Sequence, residues 1–154
     1  GKTFTMFKFR TMRVDAEDLK ASLMKANEAD SSAGNSIMFK MANDPRITRI
    51  GAFLRKTSID ELPQLFNVLR GDMSLVGPRP PLPSEVAQYE PRVMGKFAVR
   101  PGITGLWQIS GRSNLSWDET VHLDLSYAQH RSLTLDAWIM LQTVPALLRH
   151  EGAY

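Results

Sequence analysis

The chain of 154 residues contains no cysteine, which excludes disulfide scaffolds, thiolate zinc sites and cysteine nucleophiles. Histidine is nearly as scarce. His122, His130 and His150 are the only three, and none forms an HExxH pair, so a histidine-rich metal site is not expected. Long apolar runs are also missing. The longest, Ala137 to Leu148, is broken by Gln142, Thr143 and Pro145, whereas a spanning helix needs about 20 apolar residues. The opening residues, Gly1-Lys2-Thr3-Phe4, lack the apolar core of a signal peptide. Aromatic residues are too scattered for a base-stacking platform, and no nucleic-acid partner is expected.

What is present is an ordinary globular composition with arginine unevenly placed. Apolar residues make up 43% and charged residues 23%, which argues against disorder and coiled coil. The length fits one domain. The formal net charge is only +3, but its distribution is skewed. Between Arg46 and Arg112 stand ten Lys+Arg against five Asp+Glu, including eight of the chain's twelve arginines. The planar guanidinium holds phosphate through paired hydrogen bonds, so this stretch suggests a phosphate-rich partner. A merely solvated basic face would more often use lysine.

The pattern predicts a helix-dominated α+β domain with a small sheet or hairpin. Lys2 to Met12 alternates loosely and reads as a strand or hairpin arm, with a possible partner in Ile37 to Met41. Val14 to Asp30 has helical composition, and residues 30 to 36 form a loop. Asp44-Pro45 resembles an N-cap followed by the first helical position, opening a helix to about Leu54. A further helix, starting between Ser58 and Glu61, carries Leu62, Leu65, Phe66 and Leu69 at amphipathic spacing and stops at Gly71. Gly77 to Pro83 is a stiff extended loop, followed by a helix to about Tyr89 and another short piece after Pro91. Arg100 to Gly105 reads as a turn and Leu106 to Ile109 as a short strand. Ser116 and Glu119 form a capping box for a helix to about His130, and a last helix covers Leu135 to Arg149.

Two acidic features carry chemical interest. Asp60-Glu61 sits where a helix is expected to begin, with either Ser58 or Asp60 as N-cap; Pro63 favours Asp60. In either case the aspartate would face the positive end of a helix dipole and stay ionised. Around it in sequence lie Arg46, Arg49 and Arg55, with Arg79, Arg100 and Arg112 held in Pro or Gly turns. An ionised aspartate among fixed arginines suits phosphoryl transfer through an acyl phosphate. Asp124 falls on the apolar stripe of Val121, Leu125 and Ala128 and is expected to point inward, toward an arginine or a metal. On the last helix, Trp138, Ile139, Leu141, Val144, Leu147 and Leu148 are read as a membrane-surface face, with Trp138 and Arg149 as anchors and core packing as the rival.

Several long motifs resemble one family. They are Lys8-Phe9-Arg10-Thr11-Met12, Asp44 to Gly51, Leu54 to Leu69, Gly71 to Pro80 and Arg100 to Gly105. The chain resembles the catalytic domain of the bacterial sugar transferases, the monotopic polyprenyl-phosphate phosphoglycosyl transferases, over residues 1–154. The resemblance implies that fold, and transfer of a sugar-1-phosphate from a UDP-sugar, UDP-glucose or UDP-galactose, to undecaprenyl phosphate. It implies a nucleophilic Asp60, assisted by Glu61 through a metal or by proton handling. It also implies phosphate or substrate binding by Lys8, Arg55, Arg79, Arg100 and Arg112, and Mg²⁺ with Asp60, Glu61 and Asp124 as candidate ligands. The implied partners are the UDP-sugar, undecaprenyl phosphate and the cytoplasmic face of the bacterial inner membrane. Family members carry an apolar re-entrant helix before the Lys-Phe-Arg-Thr-Met motif, so the sequence is expected to be a fragment lacking it. A non-catalytic basic module for anionic membrane or nucleic acid is the alternative.

Overall fold

The structure is a computed structural model that describes residues 2–23, 41, 44–111 and 115–149. The loop over residues 30–36, the strand expected at Ile37 to Met41 (Met41 apart), Arg112, His150 and the Arg149 side chain lie outside the described residues.

In chain order the elements are α1 (Ala16–Leu23), α2 (Arg49–Thr57), a 3-10 turn (Ile59–Glu61), α3 (Gln64–Leu69), β1 (Ser74–Val76), α4 (Pro83–Val86), a 3-10 helix (Pro91–Ala98), β2 (Gly102–Thr104), α5 (Leu106–Ile109), α6 (Trp117–His130) and α7 (Leu133–Arg149). The domain is thus helix-dominated α+β. Among the described residues its sheet is one parallel pair, with Ser74 opposite Gly102 and Val76 opposite Thr104. A parallel pair needs a long crossover, and here that is the proline-rich loop, α4 and the 3-10 helix. Glycine is required at the join: a Cβ on Gly102 would lie 2.1 Å from the Gly77 nitrogen.

The core sits behind this pair. Val76, Tyr127 and Ile139 are buried together, with Val99, Leu106, Ile109 and Leu135 packed against them. The Tyr127 hydroxyl lies 2.7 Å from Asp136 Oδ1 and 3.2 Å from the Val76 carbonyl, joining α6 and α7 to β1. Helix α6 begins as its capping box requires: Ser116 Oγ accepts from the Glu119 N–H at 3.2 Å, and Glu119 Oε2 accepts from the Ser116 N–H at 2.8 Å.

Three local expectations are corrected, and the direction of a fourth element is settled. Lys2 to Met12 is extended and, among the described residues, makes one isolated bridge, Met12 with Ile47. Its polar groups go to side chains and to helix ends, so it runs as a strap rather than a strand. Asp44 does not cap the next helix. Its carboxylate pairs with Arg46 at 2.6 Å, and Thr48 is the N-cap, accepting from Gly51 N–H at 2.9 Å. Leu106 to Ile109 is one helical turn, while the strand lies in the preceding expected turn, at Gly102–Thr104. The α3 region is inverted. Leu62, Leu65, Phe66 and Leu69 are exposed, and Gln64 and Asn67 are the buried residues of the helix. The amphipathic period is there, but its apolar face points outward.

Candidate active site

The strap, α2 and the turn after α2 together place Asp60. Gly51 lets the strap touch α2, since a Cβ there would meet the Thr11 carbonyl oxygen at 1.9 Å. At the end of α2, Ser58 adopts a left-handed conformation (φ 55) and its N–H caps the Arg55 carbonyl at 3.0 Å. This non-glycine residue at positive φ is uncommon and costs energy; it folds the chain back so that Asp60 faces α2. Asn67, fully buried on α3, holds the other side. Its Oδ1 accepts from the Phe7 N–H at 3.0 Å, and its Nδ2 donates to the Thr5 carbonyl at 2.8 Å. The strap then donates from Phe9 N–H to the Asp60 carbonyl at 3.0 Å.

Asp60 therefore lies in the middle of a 3-10 turn whose N-cap position is Ser58, one of the two expected, although no side chain makes the cap bond. Helix α3 starts only after Pro63, again with no side-chain cap. Burial, rather than a helix dipole, is the leading influence on its carboxyl. Burial pushes the Asp60 carboxyl above the usual aspartate range, the neighbouring Glu61 adds to this, and Lys8 and Arg55 pull against it. Among the described residues its carboxylate accepts no hydrogen bond from another side chain.

Asp60 opens into a cleft of about 480 Å³. Glu61 lines it beside Asp60. Among the described residues three cations share the lining: Lys8 from the strap, Arg55 from α2 and Arg79 from the proline-rich loop. Lys8 Nζ meets Glu61 Oε1 at 2.8 Å. Arg55 Nε donates to Thr11 Oγ1 at 2.9 Å, which fixes one edge of its guanidinium. Arg79 forms a paired contact with Glu85, at 3.0 and 3.3 Å. Asp72, a few residues upstream of Arg79, lies 3.7 Å from Arg70 instead, so the acid that holds Arg79 is Glu85.

The far wall is polar and comes from β2, α5 and α7. Thr104 and Thr143 hydroxyls are 2.7 Å apart, and Thr143 donates to the Ile139 carbonyl at 2.8 Å, so Thr104 is the donor between them. Trp107 and Gln108 also line this wall, with the indole N–H and the Gln108 Oε1 buried and without a partner among the described residues. Thr104 belongs to the Arg100 to Gly105 motif, whereas sequence reading missed Trp107, Gln108 and Thr143, which no motif marks. Leu62, Leu65 and Leu147 add apolar surface.

Of the residues expected at the site, Lys8, Arg55, Asp60, Glu61 and Arg79 are brought together. Arg100 is not: it is exposed and does not line the cleft, although Ile103 and Thr104 of the same segment do. Arg112 lies outside the described residues. Asp124 points inward as expected, but its partner is a lysine rather than an arginine: Lys96 Nζ meets Asp124 Oδ2 at 2.5 Å, with both side chains buried. The cleft lining does not include it, so the structure separates it from the Asp60–Glu61 pair as a metal ligand. Among the described residues, no group of three or more His, Asp or Glu could hold a metal ion by itself.

A carboxylate pair and three cations share one cleft, an arrangement chemically suited to holding phosphate. The sequence agrees on the class: the bacterial sugar transferase family matches residues 1–150, and the chain belongs to that family. It is similar to the galactosyl transferase CpsE of Streptococcus agalactiae, with 50% identity over 99% of this chain and 33% of that protein. It is similar to the undecaprenyl-phosphate galactose phosphotransferase of Salmonella typhimurium, at 46% over 100% of this chain and 32% of that protein. Similarity to the exopolysaccharide production protein ExoY of Rhizobium meliloti is 42%, covering 100% of this chain and 68% of that protein. The chain thus spans about a third of the length of the first two relatives.

Proposed function

We propose that this chain carries the chemistry of a sugar-1-phosphate transferase that uses a UDP-sugar donor and a polyprenyl phosphate acceptor. The observation that carries the reading is one cleft holding Asp60 and Glu61 with Lys8, Arg55 and Arg79. The names of the relatives support it, through galactose phosphotransfer to undecaprenyl phosphate and a UDP-glucose:undecaprenyl-phosphate glucose-1-phosphate transferase at 39% identity.

In this reading an Asp60 carboxylate oxygen attacks the sugar-linked phosphorus of the donor. The bond from that phosphorus to the bridging oxygen breaks, and UMP leaves with the oxygen. The resulting acyl phosphate bears the sugar. A phosphate oxygen of the lipid then attacks the same phosphorus, the bond from Asp60 to phosphorus breaks, and the carboxylate returns. Arg55 and Arg79 hold phosphate oxygens, and Lys8 neutralises Glu61 or a phosphate according to occupancy.

Mg²⁺ fits the residues present. It is commonly held by one or two carboxylates together with substrate phosphates, and Asp60 and Glu61 are adjacent acids in the cleft. When bound it would neutralise diphosphate charge. Glu61 is the better holder, because Asp60 must keep an oxygen for attack.

The exposed apolar residues support a lipid surface as the setting. Leu62 and Leu65 line the cleft, Phe66 and Leu69 are exposed on α3, and Ile50 and Phe53 are exposed on α2. On α7, Trp138, Leu141, Val144 and Leu148 are exposed, while Ile139 is fully buried in the core and Leu147 lines the cleft. The first four are thus available for such a face, whereas Ile139 belongs to the core. No helix among the described residues is long and apolar enough to cross a membrane. A screen of UDP-sugars for UMP release, with undecaprenyl phosphate as acceptor, tests the reading; absence of UMP from every donor would overturn it. UDP-glucose and UDP-galactose are the donors expected to work, as the first membrane step of exopolysaccharide, capsule or glycan assembly.

A further inference from the structure

Glu85 is buried, yet it belongs to neither the carboxylate pair nor the cleft lining. Its hydrogen bonds are specific. Oε2 accepts from the Leu82 N–H at 2.9 Å and from Arg79 NH1 at 3.0 Å, and Oε1 accepts from Arg79 NH2 at 3.3 Å. The contact to Leu82 is ordinary helix-start bonding for the one-turn α4. It accounts for one bond and leaves the other two unexplained.

Those two bonds have a directional consequence. A guanidinium offers hydrogen-bonding edges in a rigid fork. Glu85 takes the end-on edge, between NH1 and NH2. The side edge, made of Nε–H and the nearer NH2 hydrogen, takes no partner among the described residues. Arg79 itself lines the cleft that contains Asp60. Its backbone lies between Pro78 and Pro80, so few torsions remain to be frozen.

We propose that Glu85 is a positioning residue, which clamps the end of the Arg79 guanidinium so that its side edge is presented to the phosphates of the donor. The proposal rests on the transferase reading above and adds a residue to it. Glu85 touches no substrate. It acts by fixing the fork before the phosphate arrives, so the ordering cost is met on folding rather than in each turnover. Asp124, held by Lys96, is the other buried acid that feels the Arg79 charge, and Tyr89 is stacked near that lysine, 5.9 Å from Nζ to the ring centroid. The loop is therefore braced from α4 and α6.

The test is a double-mutant cycle on the full chain in lipid, with Glu85→Gln, Arg79→Lys and both together. Glutamine retains an acceptor for Leu82 but loses the charge that grips the fork. The expected result is a fall of about tenfold in kcat/KM for UMP release with Glu85→Gln, and no further fall when it is added to Arg79→Lys. Losses that multiply in the double variant, or a Glu85→Gln enzyme with unchanged kcat/KM, would overturn the proposal. If Glu85→Gln does not fold, Glu85→Asp, which keeps the charge and withdraws it by one methylene, goes through the same cycle with the same criteria. The cycle is also read as affinity for inorganic pyrophosphate by calorimetry. Coupled loss of pyrophosphate affinity in a protein that releases no UMP from any UDP-sugar would leave Glu85 positioning intact and remove the transferase reading. Normal UMP release with no coupling in either readout would remove the positioning role alone.

Discussion

Lys8 Nζ lies 2.8 Å from Glu61 Oε1, across 53 residues of sequence. This contact, with the Phe9 N–H bond to the Asp60 carbonyl, makes the strap a wall of the cleft. Both side chains are partly exposed, so the pair adds only about 0–1 kcal/mol to stability. Its larger effect is on the charge beside Asp60. Lys8→Met should leave thermal stability nearly unchanged and lower kcat/KM for UMP release by about tenfold to a hundredfold. Equal kcat/KM for the variant and the natural enzyme would show that the ammonium plays no part in turnover.

Asp60→Asn should abolish turnover, because the amide is not a nucleophile. It should also leave the protein at least as stable at pH 7. The sign follows from burial. The folded-state value of Asp60 is raised above the ordinary aspartate value of 3.8. The folded protein therefore binds that proton more tightly than the unfolded chain, and this contribution to stability is lost as pH rises through the folded value. Asparagine never ionises and removes the loss. Melting temperatures compared at pH 4 and pH 7 check this: the variant should gain on the natural protein as pH rises. Activity should fall on the acid side at a higher pH than an exposed aspartate would give. With donor alone, the natural enzyme should show the mass of a phosphosugar on the Asp60 peptide.

The parts of this fold that were legible in sequence are those set by neighbours in the chain. Ser116 and Glu119 specify the start of α6 because the bonds involved span three residues. Asp124 was read as inward from its stripe, and it is buried. One failure was a competition between near neighbours: Thr48 rather than Asp44 caps α2, because Asp44 pairs with Arg46 two residues on. Most of the others depended on contacts beyond the neighbouring turn. Pro63 suggested a helix opening at Asp60, but the left-handed Ser58 and the strap bend that stretch into a 3-10 turn. Periodicity identified the α3 face correctly and could not say which way it points. Asn67 decides that, by bonding to the strap 60 residues away. Lys96 as the partner of Asp124, and Glu85 as the partner of Arg79, were likewise invisible to a reading of turns and stripes, although Glu85 stands at the third position after Leu82, where a helix-start acid often sits.

Asn67→Ala should be strongly destabilising, since it strips partners from the Phe7 N–H and the Thr5 carbonyl. Leaving such groups unsatisfied costs about 1–3 kcal/mol each. Because the strap carries Lys8 and Phe9, the variant should also lose UMP release where it remains folded, for instance at low temperature. Urea unfolding gives the first quantity and an assay at low temperature the second. An unfolding free energy within about 0.5 kcal/mol of the natural protein, the usual range for a surface substitution, would mean that the strap is not anchored there.

Apolar side chains that face outward should support lipid binding without supporting the fold. Leu69 is 83% exposed and Phe66 64%, whereas Ile139 is 0% exposed. Changing Phe66 and Leu69 together to serine should leave the melting temperature within a few degrees and reduce sedimentation with anionic liposomes. Ile139→Ser should instead unfold the protein, because a buried large-to-small change that also buries a hydroxyl costs several kcal/mol, about 2–5. Undiminished liposome binding by the folded double variant would locate the lipid surface elsewhere.

The Lys96–Asp124 pair gives the sharpest stability test. Both side chains are buried, and the ammonium sits against the carboxylate at 2.5 Å. Burial pushes Asp124 up, while Lys96 and Arg79 pull it down. Removing only the cation by Lys96→Met leaves a buried carboxylate without its partner, a change that costs about 3–5 kcal/mol. The loss should depend on pH. With Lys96 gone, the folded-state value of Asp124 rises further above its unfolded one, so protonation relieves the variant, and its deficit should be small near pH 4 and grow as pH rises. Replacing both partners, Lys96→Met with Asp124→Leu, removes the charge as well as its counter-charge and should recover much of the stability with no such pH dependence. Denaturant unfolding at pH 4.5 and pH 7.5 distinguishes these cases. A Lys96→Met deficit that is equal at the two pH values would mean that Asp124 is solvated through some route absent from this arrangement, and a double variant no better than the single would mean that the pair is needed for packing rather than for charge balance.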